Sequence, residues 1–174
     1  MTSAVDTSAT TTDRAQRRPT HARLLTAFAV VVVAHWAEHL VQAIQIFSLG
    51  WPRSEAGGVL GQWFPWLVSS ELLHYAYAIV MLAGLWLLRD GFGARARAWW
   101  MLAFWLQAWH HVEHLLLLLQ VTFGFTIDGG PVPMSLVQLF VPRVELHLFY
   151  NTVVTAPMVV AMWLHLRTRS AARG

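Results

Sequence analysis

Four stretches of this chain, residues 24–49, 67–88, 98–121 and 144–166, are each long and predominantly apolar. Crossing a bilayer takes ~20 mostly apolar residues, and a soluble core has no use for four runs of that length. The chain is 56% apolar and 12% charged, which also argues against an ordinary soluble domain. These runs predict an all-α integral membrane protein, a bundle of four transmembrane helices within a domain spanning residues 23–168. Residues 1–22 are rich in Thr, Ser and Ala, with no separate apolar segment and cleavage site, and so predict a disordered cytoplasmic tail. Residues 169–174 form a short second tail.

The basic residues fix the expected orientation. Of the twelve arginines, ten lie in the N-terminal segment (Arg14, Arg17, Arg18, Arg23), the middle connection (Arg89, Arg95, Arg97) and the C-terminal segment (Arg167, Arg169, Arg173). Only Arg53 and Arg143 fall in the other two connections. Basic residues are retained on the cytoplasmic side, so both termini are expected there, in the cell membrane, with the loops 51–66 and 122–143 facing outward. The calculated pI near 10 then reflects topology, and no basic run interleaved with exposed aromatics points to nucleic acid. Trp51, Trp63 and Trp66 suit an outer interfacial belt, Trp99 and Trp100 an inner one. The absence of cysteine excludes disulfides and thiolate metal sites.

The chain also reads as two helical hairpins in tandem. His35-Trp36-Ala37-Glu38-His39 is echoed by His110-His111-Val112-Glu113-His114, and the same offset carries Gln45 onto Gln120. Gly57-Gly58 followed by Gln62 to Pro65 is matched loosely by Gly129-Gly130 followed by Gln138 to Pro142. After each loop comes an acid with a histidine, Glu71 with His74 and Glu145 with His147. Two helices per unit keep both halves in one orientation, giving parallel repeats about an axis normal to the membrane.

The repeated motif carries the chemistry. At 100° per residue, His35, Glu38 and His39 share an arc of roughly 100°, as do His110, Glu113 and His114. Glu71, His74 and Tyr75 share a face of the second apolar run. His147 shares one with Asn151 in the fourth, whereas Glu145 points about 160° away on a regular helix. His111 lies at the margin of its arc. Counted from the arginine-marked boundaries, the two motifs fall from the midplane to roughly 9 Å above it, with Glu71 and His74 descending to a similar level and His147 somewhat higher. Ionisable groups at such depth cost about 2.5–3.5 kcal/mol or more unless paired or coordinated. A divalent cation would cancel carboxylate charge and use imidazole lone pairs, and histidines at i and i+4 chelate naturally. The expected ligands are His35, Glu38, His39, Glu71, His74, His110, Glu113, His114 and His147, enough for two metals.

Such a ligand count in a bundle resembles the di-metal carboxylate sites of ferritin-like proteins, although only Glu71 and His74 keep their Glu-x-x-His order. The string His-x-x-Glu-His also occurs in soluble zinc proteases, but here it appears twice within membrane helices. Imidazole and carboxylate favour iron or zinc, with copper and manganese also compatible. Three functions follow. The first is a metal-dependent membrane enzyme, an oxidoreductase or hydrolase acting on a lipophilic or small substrate, with Tyr75 and Tyr150 nearby. The second is a metal-ion or proton conduit or sensor. The third is a b-type haem electron carrier, with His39 and His114 as axial ligands. The expected partners are the lipid bilayer and, for so small a bundle, a second copy or a larger membrane complex.

Overall fold

The computed structural model describes residues 7–171, with side chains from 19 to 168, and every regular element among the described residues is helical. Four long helices dominate: α1 (Thr7–Phe47), α4 (Glu71–Leu88), α5 (Ala94–Phe123) and α6 (Arg143–Ala171). Two short helices, α2 (Gly58–Trp63) and α3 (Pro65–Ser69), fill the loop after α1. The long helices pack as a ring, α1 against α4 and α6, and α5 against α4 and α6. The connections 48–70 and 124–142 gather at one end, the loop face, and Arg89–Gly93 turns tightly at the other.

Burial is inverted relative to a soluble protein. Leu40, Ile44, Leu72, Leu87, Trp105, Val112 and Val159 face outward, while His39, Gln42, Gln107, His110, Glu113, His114, Gln120 and His147 are buried. An apolar exterior around a polar interior is what hydrocarbon selects. Three helices, Pro19–Phe47, Glu71–Gly91 and Arg143–Thr168, are long and apolar enough to cross a membrane. α5 has the length, 30 residues, but carries Gln107, His110, His111, Glu113, His114 and Gln120, which lower its hydropathy.

Several boundaries differ from those read in the sequence. The run expected as one helix from residue 67 is broken, because Pro65 starts α3 at its first turn and Ser70 is extended. The Ser70 hydroxyl then accepts from Leu73 N–H and caps α4. At the other extreme α1 continues back to Thr7, through most of the segment expected as a tail. Residues 1–6 and 172–174 of the two expected tails lie outside the described residues.

Toward the tight end the interior is dry. Leu25, Phe28, Leu85, Trp100, Ala103, Met158 and Ala161 form one buried apolar cluster. Trp100, fully buried, donates its Nε1–H to Leu85 O at 2.6 Å, so its single polar atom is satisfied. Phe28 rests against Gly84, where a Cβ would stand 2.3 Å from the ring, so α1 approaches α4 only because residue 84 has no side chain.

Candidate metal centre

Helical spacing builds two histidine pairs. His35 and His39, one turn apart on α1, bring their Nε2 atoms to 3.2 Å. His110 and His114 on α5 do the same at 3.1 Å. Two imidazoles bound tetrahedrally to one metal at about 2.05 Å hold their nitrogens about 3.3 Å apart. Each pair is therefore close to chelating geometry already.

His147 of α6 is the hub. Its ring lies 4.9 Å from that of His39, 5.5 Å from His110, 5.4 Å from His114 and 6.2 Å from His74. His74 of α4 is also 6.0 Å from His114. Six imidazoles from four helices thus make one continuous cluster. His110, His114 and His147 offer ligand atoms that all lie within 4.8 Å of one another, and this buried triad could hold a metal ion. A void of about 10 Å³ lies against these three side chains and Glu113, about the room one ion or water needs.

The outer contacts of the rings set which nitrogen is available. A carbonyl only accepts, so Nδ1 must carry the proton where His147 donates to Arg143 O at 2.7 Å and His74 to Ser70 O at 2.9 Å. His39 Nδ1 faces Gln42 Oε1 at 2.7 Å in the same way. Each then presents an Nε2 lone pair, with the opposite nitrogen bonded to an acceptor that fixes the ring, as is common in metal-binding histidines. Nε2 of His147 is buried with no hydrogen-bond partner.

The expected carboxylates are held mainly by other partners. Glu38 Oε1 accepts Leu60 N–H from α2. Glu71 is bound by both terminal nitrogens of Arg143. Glu113 Oε1 accepts from the Ser135 hydroxyl at 3.1 Å and from Val137 N–H at 3.2 Å, while its Oε2 lies 3.6 Å from His110 Nδ1. These bonds answer a need the loops create, since backbone N–H groups folded into the head of the bundle must find acceptors. Gln45 does the same for Gly58, and Gln120 for Ile127 and Met134. Gly58 has φ +73°, and a Cβ there would meet Glu38 Oε1 at 2.4 Å, so glycine is required twice over.

Glu145 pairs with Arg53 at 2.6 Å, away from the imidazoles, which accounts for its off-face position. His111 stacks on Tyr75 at 5.1 Å, beside the cluster. Tyr77, which sequence reasoning passed over, stacks on His35 at 3.7 Å, and Tyr150 on His110 at 4.1 Å. The signal was present: Tyr77 follows His74 by three residues, and Tyr150 follows His147 by three. Above the cluster, a cavity of about 780 Å³ at the loop face is lined by His39, His74, His147, Gln42, Arg143 and residues of the loop 50–57 and of α2 and α3. No family model matches the chain, and neither does any curated protein or solved structure.

Proposed function

We propose that this chain is a polytopic membrane metalloprotein with a dinuclear imidazole-rich centre, acting as a metal-dependent enzyme. The observation that carries the reading is the convergence of His110, His114 and His147 on an ion-sized void inside a bundle whose exterior is apolar. The first metal is assigned to that triad. The second is assigned to His35 and His39, with His74, which lines the cavity alongside His39, as a further imidazole. Among the glutamates, Glu113 is given the role of hydrogen-bond acceptor to the ligand His110, and Glu38 and Glu71 that of anchoring the loops around the site. Iron or zinc leads, and copper follows closely because the donors nearest the void are imidazoles. Manganese, which prefers oxygen donors, is less favoured.

α5 is inferred to be a fourth span. Its polar side chains point inward, while Leu102, Trp105, Trp109, Val112 and Leu119 face outward. The two hairpins are inferred to be tandem repeats, an idea supported by paired contacts. His35 with His39 parallels His110 with His114, Tyr77 on His35 parallels Tyr150 on His110, and Glu38 on Leu60 N–H parallels Glu113 on Val137 N–H. Cytoplasmic termini follow from the arginine distribution. Two rival functions gain less support. A conduit needs polar groups at every depth, but the tight end holds Phe28, Leu85, Trp100 and Met158. A haem between His39 and His114 would have to displace His147, whose ring contacts both.

The test is elemental analysis and absorption spectroscopy on tag-free protein purified in detergent. One or two equivalents of iron, zinc or copper, with no Soret band, are expected. His39→Ala/His114→Ala should lose the metal and melt at lower temperature, whereas Leu117→Ala should keep the metal. A full metal load in the double variant would overturn the assignment.

A further inference from the structure

Resting on the metal reading above, we infer that the cavity at the loop face binds a small hydrophilic anion, a carboxylate or oxyanion, which completes the coordination of the histidine-held metal. Charge is the first reason. Imidazole ligands are neutral, so a divalent ion held by them keeps its full charge in surroundings where an uncompensated charge is costly. Glu113 beside the void offers one negative charge, whereas Glu38 binds Leu60 N–H and Glu71 binds Arg143. One carboxylate against a divalent ion leaves a net positive charge, and an anion from outside the chain would balance it.

Geometry is the second reason. His147 lines both the ion-sized void and the large cavity, and its unpartnered Nε2 is buried. His147 thus stands between the void and the cavity, and a metal held there would have its exchangeable position nearest that cavity. Arg143 lines the same cavity, and Glu71 occupies only two of its five N–H donors. Arg53 is the other arginine on this face and lines it too. A carboxylate or oxyanion has two oxygens to divide between metal and guanidinium. Gln42, Ser54, Gln62 and Ser69 supply hydrophilic lining, and a volume of about 780 Å³ admits a molecule of many heavy atoms. The substrate class favoured is thus a water-soluble acid arriving from the loop side rather than a lipid entering between helices.

Cobalt(II) gives the test its readout, because its visible bands report coordination. Tag-free protein in detergent is loaded with cobalt, its stoichiometry measured, and sodium formate titrated at constant ionic strength in perchlorate, with formamide as the uncharged control. A saturable spectral change with formate and none with formamide is expected. Arg143→Gln should weaken formate at least tenfold with cobalt stoichiometry unchanged. Because that variant leaves Glu71 unpaired, Glu71→Gln/Arg143→Gln is measured beside it and should show the same weakening. Bound cobalt that ignores formate would overturn this inference and leave the metal centre standing. Failure to bind cobalt at all would overturn the metal reading first. An equal formate response in wild type and both variants would remove Arg143 from the anion site.

Discussion

Glu113 stands apart from the other carboxylates because one of its oxygens serves the loop and the other serves the cluster. Its Oε1 holds Ser135 and Val137, while Oε2, buried and without a hydrogen-bond partner, faces His110 Nδ1 at 3.6 Å. When His110 binds metal through Nε2, its Nδ1–H points at that oxygen, and a shift of a few tenths of an ångström closes the bond. Carboxylates in this position orient the ring and raise its basicity, and losing one typically costs 10–100-fold in metal affinity. Glu113→Gln keeps an acceptor for the loop but turns an amide toward the ring, so metal affinity measured by chelator competition should fall ~10–100-fold with helicity unchanged. Glu38→Gln, whose carboxylate is on Leu60 N–H, should leave affinity within about threefold on the same reasoning. The sequence marks the positions of both glutamates, since 100° periodicity puts them beside the histidines. It does not say which way they turn, because the competing donors, Leu60 N–H and Val137 N–H, belong to loops whose path no periodicity encodes. The four paired histidines were legible for the opposite reason: helical spacing alone brings each i, i+4 pair together.

Between helices, the determining contact is the seat of Phe28 on Gly84. It lets α1 approach α4 at the dry end. A methyl at residue 84 would overlap the ring, at 2.3 Å from Cε2, and overpacking of this kind costs about 1–3 kcal/mol. Gly84→Ala should therefore lower the melting temperature of the detergent-solubilised protein. Adding Phe28→Leu should recover part of the loss, because the smaller side chain vacates the overlap, and no recovery would mean that the glycine matters for another reason. The long helices were readable from their apolar runs to within a few residues at α5 and at the start of α6. α2 and α3 were not, since the apolar run beginning at residue 67 hides the stop that Pro65 and Ser70 impose. Amphipathic loop helices leave too short a trace for any period to register. α5 shows the converse problem: its buried polar face, the most informative surface in the chain, is what depresses its hydropathy.

For the whole molecule, the question is which side of the membrane the cavity opens to. Arginines are concentrated at the termini and around the tight turn, and only Arg53 and Arg143 lie toward the loop face, so the orientation proposed from the positive-inside rule has that face outside. Trp63, Trp66 and Phe140 are exposed there, as expected of side chains resting in the interfacial region. The chain has no cysteine, so single introduced thiols report topology without background. Ser54 is exposed in the loop after α1, and Gly93 at the tight turn has open space where a side chain would go and an ordinary φ of −65°. In intact cells, a membrane-impermeant maleimide should label Ser54→Cys at once and label Gly93→Cys only after permeabilisation. That pattern would join the histidine cluster to the external phase, since the cavity containing Ser54 reaches His39, His74 and His147. The opposite pattern would turn the cavity toward the cytoplasm, and any anion it binds would have to be an intracellular one. Labelling of both thiols without permeabilisation would require an odd number of crossings between residues 54 and 93 to be abandoned, and with it α4 as a span.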